Sequence, residues 1–596
     1  MDSIDILVPD TEAPVTLSGD DSYVVDLDDS AALAGREYLV EHTNPEILPL
    51  GPALLVKYIN PEISPLPVTL LEAQSVVGVT LKTSPFDDVV KVLGAGSPVT
   101  VDGGVGTNTL TFDDRAAITN RRYVIAGDGN LWVDGEVVFN YLSADVLNFL
   151  GGSGDDVLDV ITVGDATHPL GKKGFLTLDA GQGLDTVRLD DSAHSKNRNY
   201  VIASDGQVSY DGAPRLQFLA AEILNLTAGG GDDRLDVTGV PEGTDALVNS
   251  GAGVDRISVS LDGLAALARV DGGADGGALA ILDASPFGQQ YTFGGILGNE
   301  VDFAIFRGIE PKVTYKNVST VTLAGTAQGD VVNISGTPGG MSISVDGRGG
   351  ADTLTGSNSV NVFFVTGADA GVHSGTGSQV AFASFEILQG KAGSDYFVFQ
   401  GGSVSGRVEG DEGVDTLSYA GQTEAVFVSL ADGMATGVGG GQAGRLSGIE
   451  NVIGGPANDV LIGDTAANAL YGGGGVDDLQ GGAGNDLLIG GVGADAIRGS
   501  DGDDLLIAGD IVLSDYYGLA LQSLYERWSR ADLGYDARVA EMEADLIAAV
   551  LGDDDEDELL GQGDRDWFFS NFRDDELDLE ILEILISEVE LVPIIQ

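Results

Sequence analysis

No cysteine occurs in the 596 residues, which excludes disulfides, thiolate metal sites and cysteine nucleophiles together. Histidine is scarce as well. The four, His42, His168, His194 and His373, are scattered, and neither an H-E-x-x-H nor a G-x-S-x-G spacing occurs, so zincin and nucleophile-elbow chemistry are not expected. Basic residues number 29 against 93 acidic ones, a net charge of −64. Such a surface repels nucleic acid and anionic membrane, and neither is expected as a partner. No run of 18 apolar residues is present, so no membrane span is expected. The opening residues MDSIDILVPDTEAPVTLSGDD lack the basic and apolar regions of a Sec-type signal peptide, so the chain is expected to be cytosolic, a fragment of something longer, or exported by an address elsewhere.

What the chain has in excess is glycine, 88 residues, about twice the usual share of ~7%. It also keeps 43% hydrophobic residues, too many for a disordered acidic tail. The composition therefore suits a chain that folds with counter-ions present.

The glycines are periodic. From Gly454 to Ile507 six nonapeptides follow without a gap: GGPANDVLI, GDTAANALY, GGGGVDDLQ, GGAGNDLLI, GGVGADAIR and GSDGDDLLI. Position six is Asp459, Asn468, Asp477, Asp486, Asp495 or Asp504, and position eight is always Leu or Ile. Glycines at positions one, two and four let the backbone turn through positive φ and expose carbonyls. The aspartate adds a hard anionic oxygen of the kind Ca²⁺ takes. The residue at position eight points inward from a three-residue strand.

This pattern resembles the RTX (repeats-in-toxin, hemolysin-type) calcium-binding repeat. The resemblance implies a parallel β-roll with two nonapeptides per coil and calcium between successive turns on each side. One side would stack Asp459, Asp477 and Asp495, the other Asn468, Asp486 and Asp504. Turn carbonyls at Gly455, Gly473, Gly475, Gly482, Gly484, Gly491, Gly493 and Gly502 would complete the sites. The second turn departs from the family pattern, with Asp464 where a glycine belongs, Ala466 at position four and neutral Asn468 as its ligand. The site between Asn468 and Asp486 is expected to be the weakest.

Single turns of this type recur upstream, with sixth positions at Asp156, Asp185, Asp233, Asp255, Asp330, Asp352, Asp395 and Asp415. A longer repeat contains them: residues 110–160 match 187–237 without a gap, LTFDDRAAITNRRYVIAGDGNLWVDG against VRLDDSAHSKNRNYVIASDGQVSYDG. Alternating apolar stretches between Gly/Asp turns predict short strands. A unit of this kind buries its inward face only by stacking on its neighbours. The expected fold is all-β: a parallel β-solenoid or β-roll with irregular upstream coils and a small helical hairpin inserted near the C-terminus. Residues 1–83 read as a degenerate solenoid unit, 84–451 as irregular solenoid and 452–510 as regular roll.

Residues 511–551 read as the hairpin. Ser514 is a helix cap, Tyr517, Leu521, Leu524 and Trp528 form one apolar stripe, and Tyr535, Val539, Met542, Leu546 and Val550 form another. At Gly552 the nonapeptide resumes, and within its acid run only Asp557 is expected to bind calcium; Asp566 follows in the next turn. Trp567, Phe568 and Phe569 are expected to plug the open end of 552–573. The tail, 574–596, is acidic and amphipathic, its pattern fits helix and strand equally, and it could serve as a secretion signal.

The functional expectation is an extracellular or cell-surface calcium-binding protein, exported by type I secretion, as RTX proteins commonly are. Its role would be structural or adhesive, toward a surface or extracellular polysaccharide or another surface protein. The alternative is a secreted polysaccharide-active hydrolase or lyase using the repeats for export and folding.

Overall fold

The computed structural model describes residues 87–161 apart from 95–97 and 143, 174–295, 303–511 apart from 376, 519–551 and 555–570. It also describes shorter stretches at 2–7, 15–17, 23–29, 36–42, 54–60, 64–73, 76–83, 576–578 and 591–593. Ser514 and Tyr517 lie outside these residues. The chain divides into two compact units, Met1–Asp283 with Pro311–Val321, and Ala284–Glu310 with Thr322–Gln596.

In the first unit, period-two alternation builds inward ladders. Leu110, Leu147, Leu176 and Leu216 are successive partners in parallel strands, and Phe112, Phe149, Leu178 and Phe218 are the next rung. All eight are buried. A three- to five-residue strand holds only two such side chains, so each coil gains its core from the coils on either side.

The long repeats add an element that the parallel stack does not require. Strands Arg122–Ala126, Asn130–Val133 and Glu136–Leu142 form an antiparallel meander. Its first strand joins the stack beside Val157–Ile161, and its last lies beside Val99–Asp102. Residues 199–219 repeat the arrangement. The cause is local. Asp134–Gly135 and Asp211–Gly212 both hold positive φ at each residue, the conformation of a type I′ hairpin turn.

In the second unit the coils shorten into a regular roll. Val452, Leu470, Leu488, Leu506 and Phe568 form one inward ladder. Leu461, Leu479, Ile497 and Leu559 form the facing one. The step from Asp504 to Asp566 spans 62 residues, where the preceding step spans 18. The excess holds helices α1, Leu519–Trp528, and α2, Tyr535–Ala549. Val550 belongs to a two-residue strand paired with Asp510–Ile511 instead of to the helical stripe.

The aromatic cluster is placed differently from the plug expected of it. Phe568 continues the inward ladder, whereas Trp567 and Phe569, one residue either side, face outward and pack under the helices with Trp528. They also do not end the stack. Phe568 pairs onward with Leu591, and Leu559 with Leu577, so the tail contributes strands Glu576–Asp578 and Leu591–Pro593.

Candidate metal centre

Each turn of the roll sends its position-six side chain along the stack toward the previous coil. The Asp459 N–H donates to Oδ1 of Asp477 at 2.7 Å, that of Asp477 to Asp495 at 2.8 Å, and that of Asp495 to Asp557 at 2.7 Å. On the other side Asn468 donates to Asp486 at 2.8 Å, Asp486 to Asp504 at 2.9 Å, and Asp504 to Asp566 at 3.0 Å. The structure therefore brings together the two rows that the resemblance implies, including Asp557 and Asp566 beyond the insertion. Every one of these side chains is buried.

One oxygen of each carboxylate is thus held by main chain. The other, Oδ2, is buried and has no hydrogen-bond partner in Asp477, Asp486 and Asp504. It lies against the first glycine of its own turn: a Cβ on Gly472, Gly481 or Gly499 would fall 2.4, 2.3 or 2.3 Å from it. Glycine at position one is therefore a steric demand of the carboxylate. The turns reach this shape through positive φ at Gly473, Gly475, Gly482, Gly484, Gly491, Gly493 and Gly502.

Carboxylates stacked on carboxylates, out of water, resist ionisation. Burial first, then the charges of Asp495 and Asp459, pushes Asp477 up to about 7. Asp486 rises to about 7 through burial and Asp464, and Asp504 to about 9 through burial and Asp486. A buried acceptor without a donor costs roughly 1–3 kcal/mol, more when charged. A cation placed among these oxygens removes both costs.

The donor chemistry fits calcium. Every candidate donor is oxygen, which suits Ca²⁺ and not the nitrogen- and sulfur-rich sites of zinc. Among the described residues no three His, Cys, Asp or Glu side chains gather at one point. An ion here would be held by carboxylates from neighbouring coils together with main-chain carbonyls, a mixture that calcium accepts.

The first turn of each row is built differently, a distinction that identity at position six did not reveal for Asp459. Both Asp459 oxygens are occupied, Oδ1 by the Val426 N–H at 2.8 Å and Oδ2 by that of its own Gly455 at 2.6 Å. Asn468 Oδ1 likewise accepts from Asp464 N–H at 2.8 Å.

Upstream, the single turns are brought together in pairs. Asp156 N–H donates to Asp185, Asp233 to Asp255, Asp330 to Asp352 and Asp395 to Asp415, at 2.6–2.9 Å. Oδ2 of Asp156, Asp185, Asp255, Asp352, Asp395 and Asp415 is buried and without a hydrogen-bond partner, as in the roll. Burial, with neighbouring acids, raises Asp352 to about 7 and Asp415 to about 8. Three pairs end on a glutamate that sequence reading passed over: Glu222, Glu386 and Glu450 accept from the N–H of Asp185, Asp352 and Asp415 at 2.7–2.8 Å. The signal was present as an acid immediately before ILNLT, ILQGK and NVIGG.

Short parallel coils joined by glycine turns, with buried aspartates aligned along each edge, define a metal-binding β-solenoid. The family model of the RTX calcium-binding nonapeptide repeat (four copies) matches residues 446–479, 453–488 and 471–506. This segment thus consists of RTX calcium-binding nonapeptide repeats, and its metal is calcium. No curated protein matches the chain.

Proposed function

We propose that this is a secreted, calcium-dependent structural or adhesive solenoid, whose folding is coupled to the calcium it meets outside the cell. The observation that carries the reading is the unpartnered Oδ2 of Asp477 on one row and of Asp486 and Asp504 on the other. A bound ion would supply the positive charge those oxygens lack. This chain's own residues do the rest: Oδ1 locks each coil to the last, position-one glycines leave room for Oδ2, and positive-φ glycines turn the chain. We extend the same role to the upstream pairs Asp156–Asp185, Asp233–Asp255, Asp330–Asp352 and Asp395–Asp415.

Extracellular calcium modules bind at about 10⁻⁴–10⁻³ M, above cytosolic free calcium, so the roll would stay loose before export and close afterwards. Export by type I secretion and a partner such as a surface polysaccharide or surface protein belong to this proposal. A structural role is preferred to a catalytic one because the buried acids are committed to stacking, each bonded to the main chain of a neighbouring coil.

Far-ultraviolet circular dichroism and calorimetric titration of the full chain test it. Calcium added to chelator-treated protein is expected to raise the β signal cooperatively and to release heat at several sites. An unchanged β signal in excess chelator would refute the coupling.

A further inference from the structure

Three loops of the first unit occupy the place of a glycine turn but carry the opposite charge at position six. The register is unambiguous. Arg121 N–H donates to Oδ1 of Asp156 at 2.8 Å, Arg198 N–H to Asp233 at 2.7 Å, and Arg36 N–H to Asp88 at 2.7 Å. This is the contact that one position-six aspartate makes to the next throughout the rows. The strand after each loop confirms it, since Tyr123 pairs with Leu158, Tyr200 with Leu235 and Tyr38 with Val90. These tyrosines fill the inward position-eight site.

The arginine side chain turns back onto an aspartate that opens its own loop. Arg121 Nη1 lies 2.9 Å from Oδ2 of Asp114, Arg198 Nη1 2.5 Å from Asp191, and Arg36 Nη1 2.9 Å from Asp29. The inward tyrosine closes the triad: Tyr123 and Tyr200 hydroxyls donate to the same carboxylate oxygens at 2.8 and 2.6 Å, and Tyr38 does so to Asp29. The three aspartates are 1–4% exposed as side chains. The spacing is constant, Asp at i, Arg at i+7 and Tyr at i+9. The Asp114–Arg121 loop packs as a turn does: a Cβ on Gly152 or Gly154 would strike Ala117 O at 2.4 Å or the Thr119 carbonyl carbon at 2.4 Å.

We infer that these Asp–Arg–Tyr loops are coils with a built-in cation: a guanidinium supplies to a buried carboxylate the charge that calcium supplies in the roll, so the strands that follow these loops keep their place where calcium is absent. A bound guanidinium cannot be chelated or diluted away, and its planar fork suits a carboxylate. Removing one partner of such a buried pair strands the other. The inference rests on calcium holding the roll, and it separates two stabilising devices within one chain.

Hydrogen exchange read by mass spectrometry on the full chain, in calcium and in excess chelator, tests it. In chelator, strands at 469–474 and 487–492 are expected to lose protection at least tenfold more than strands at 122–126 and 199–202. In the double variant Arg121→Gln, Arg198→Gln, the upstream strands should lose protection in chelator, while Arg121→Lys, Arg198→Lys should keep it. Should the Gln pair be unprotected even in calcium, the Lys pair decides. The inference is overturned if wild-type upstream strands open together with the roll, if the Gln pair stays protected in chelator, or if the Lys pair does not. A roll indifferent to chelator would instead refute calcium-coupled folding, a distinct result in the same data.

Discussion

Position two of the open turns shows how much of the site one residue controls. Gly473 and Gly482 hold φ of 101° and 110° there. Ser500 occupies the same position at φ 83°, where an L-residue with a Cβ is disfavoured by roughly 1–2 kcal/mol. Arg348, Lys391 and Asp411 are left-handed upstream as well. The prediction is that Ser500→Gly stabilises the calcium-loaded protein by about 1 kcal/mol, offset in part by the unfolded-state entropy of glycine. Denaturant unfolding in saturating calcium measures it, and a loss of stability would contradict the assignment. Which turns are open was not legible, because the repeat names the ligand but not whether its second oxygen meets a main-chain N–H. Asp459 and Asp477 read alike as letters, yet Gly455 N–H occupies Oδ2 of one and no donor meets that of the other.

At the level of elements, the sequence disclosed the coils and the hairpin but not where the hairpin lies. Position eight announced the core because its periodicity survives any partner. The hairpin's seat is written at positions seven and nine, which face outward. On one sheet these are Leu487, Ile489, Leu505, Ile507, Trp567 and Phe569, all buried in one cluster with Leu521, Trp528, Met542 and Leu546. On the other sheet the equivalents include Asp478, Gln480, Arg498 and Glu558. So α1 and α2 roof one sheet alone, and that difference could have been found by reading the two outward columns separately. The helices are also tied to turns: Tyr525 donates to Ala467 O at 3.2 Å, Tyr535 to Asp566 O at 3.1 Å, and Arg538 pairs with Asp503 at 2.5 Å while lying over Trp528. Trp528 is fully buried, so Trp528→Ala is expected to cost about 3–5 kcal/mol. Thermal unfolding in calcium checks this, and a loss under 1 kcal/mol would mean the roof is not packed as described. The meanders were equally readable: Asp134–Gly135 and Asp211–Gly212 are hairpin signals between strands, hidden only because the surrounding Gly–Asp pairs belong to another kind of turn.

Over the whole molecule, the net charge of −64 makes compactness depend on what neutralises the rows. At tenfold excess over its dissociation constant each calcium site contributes about 1.4 kcal/mol, so four to six sites supply roughly 6–8 kcal/mol, comparable to a typical domain's whole stability of about 5–15 kcal/mol. Protons are the other available neutraliser, and their effect has a definite sign. Without metal, burial holds Asp477 and Asp486 near 7 and Asp504 near 9, above the value near 4 of an unfolded aspartate. A raised folded value means that the folded state binds protons more tightly. The contribution is complete below about pH 4 and is lost as pH climbs through about 7 and then 9. In excess chelator the melting temperature of the roll should therefore fall from pH 5 to pH 9. In saturating calcium the trend should reverse, because calcium needs the ionised carboxylates and protons compete for them. Two melting curves against pH, one in chelator and one in calcium, should diverge steadily above neutrality. A chelator curve that is flat, or that rises with pH, would show that the buried aspartate rows do not govern the stability of the metal-free roll.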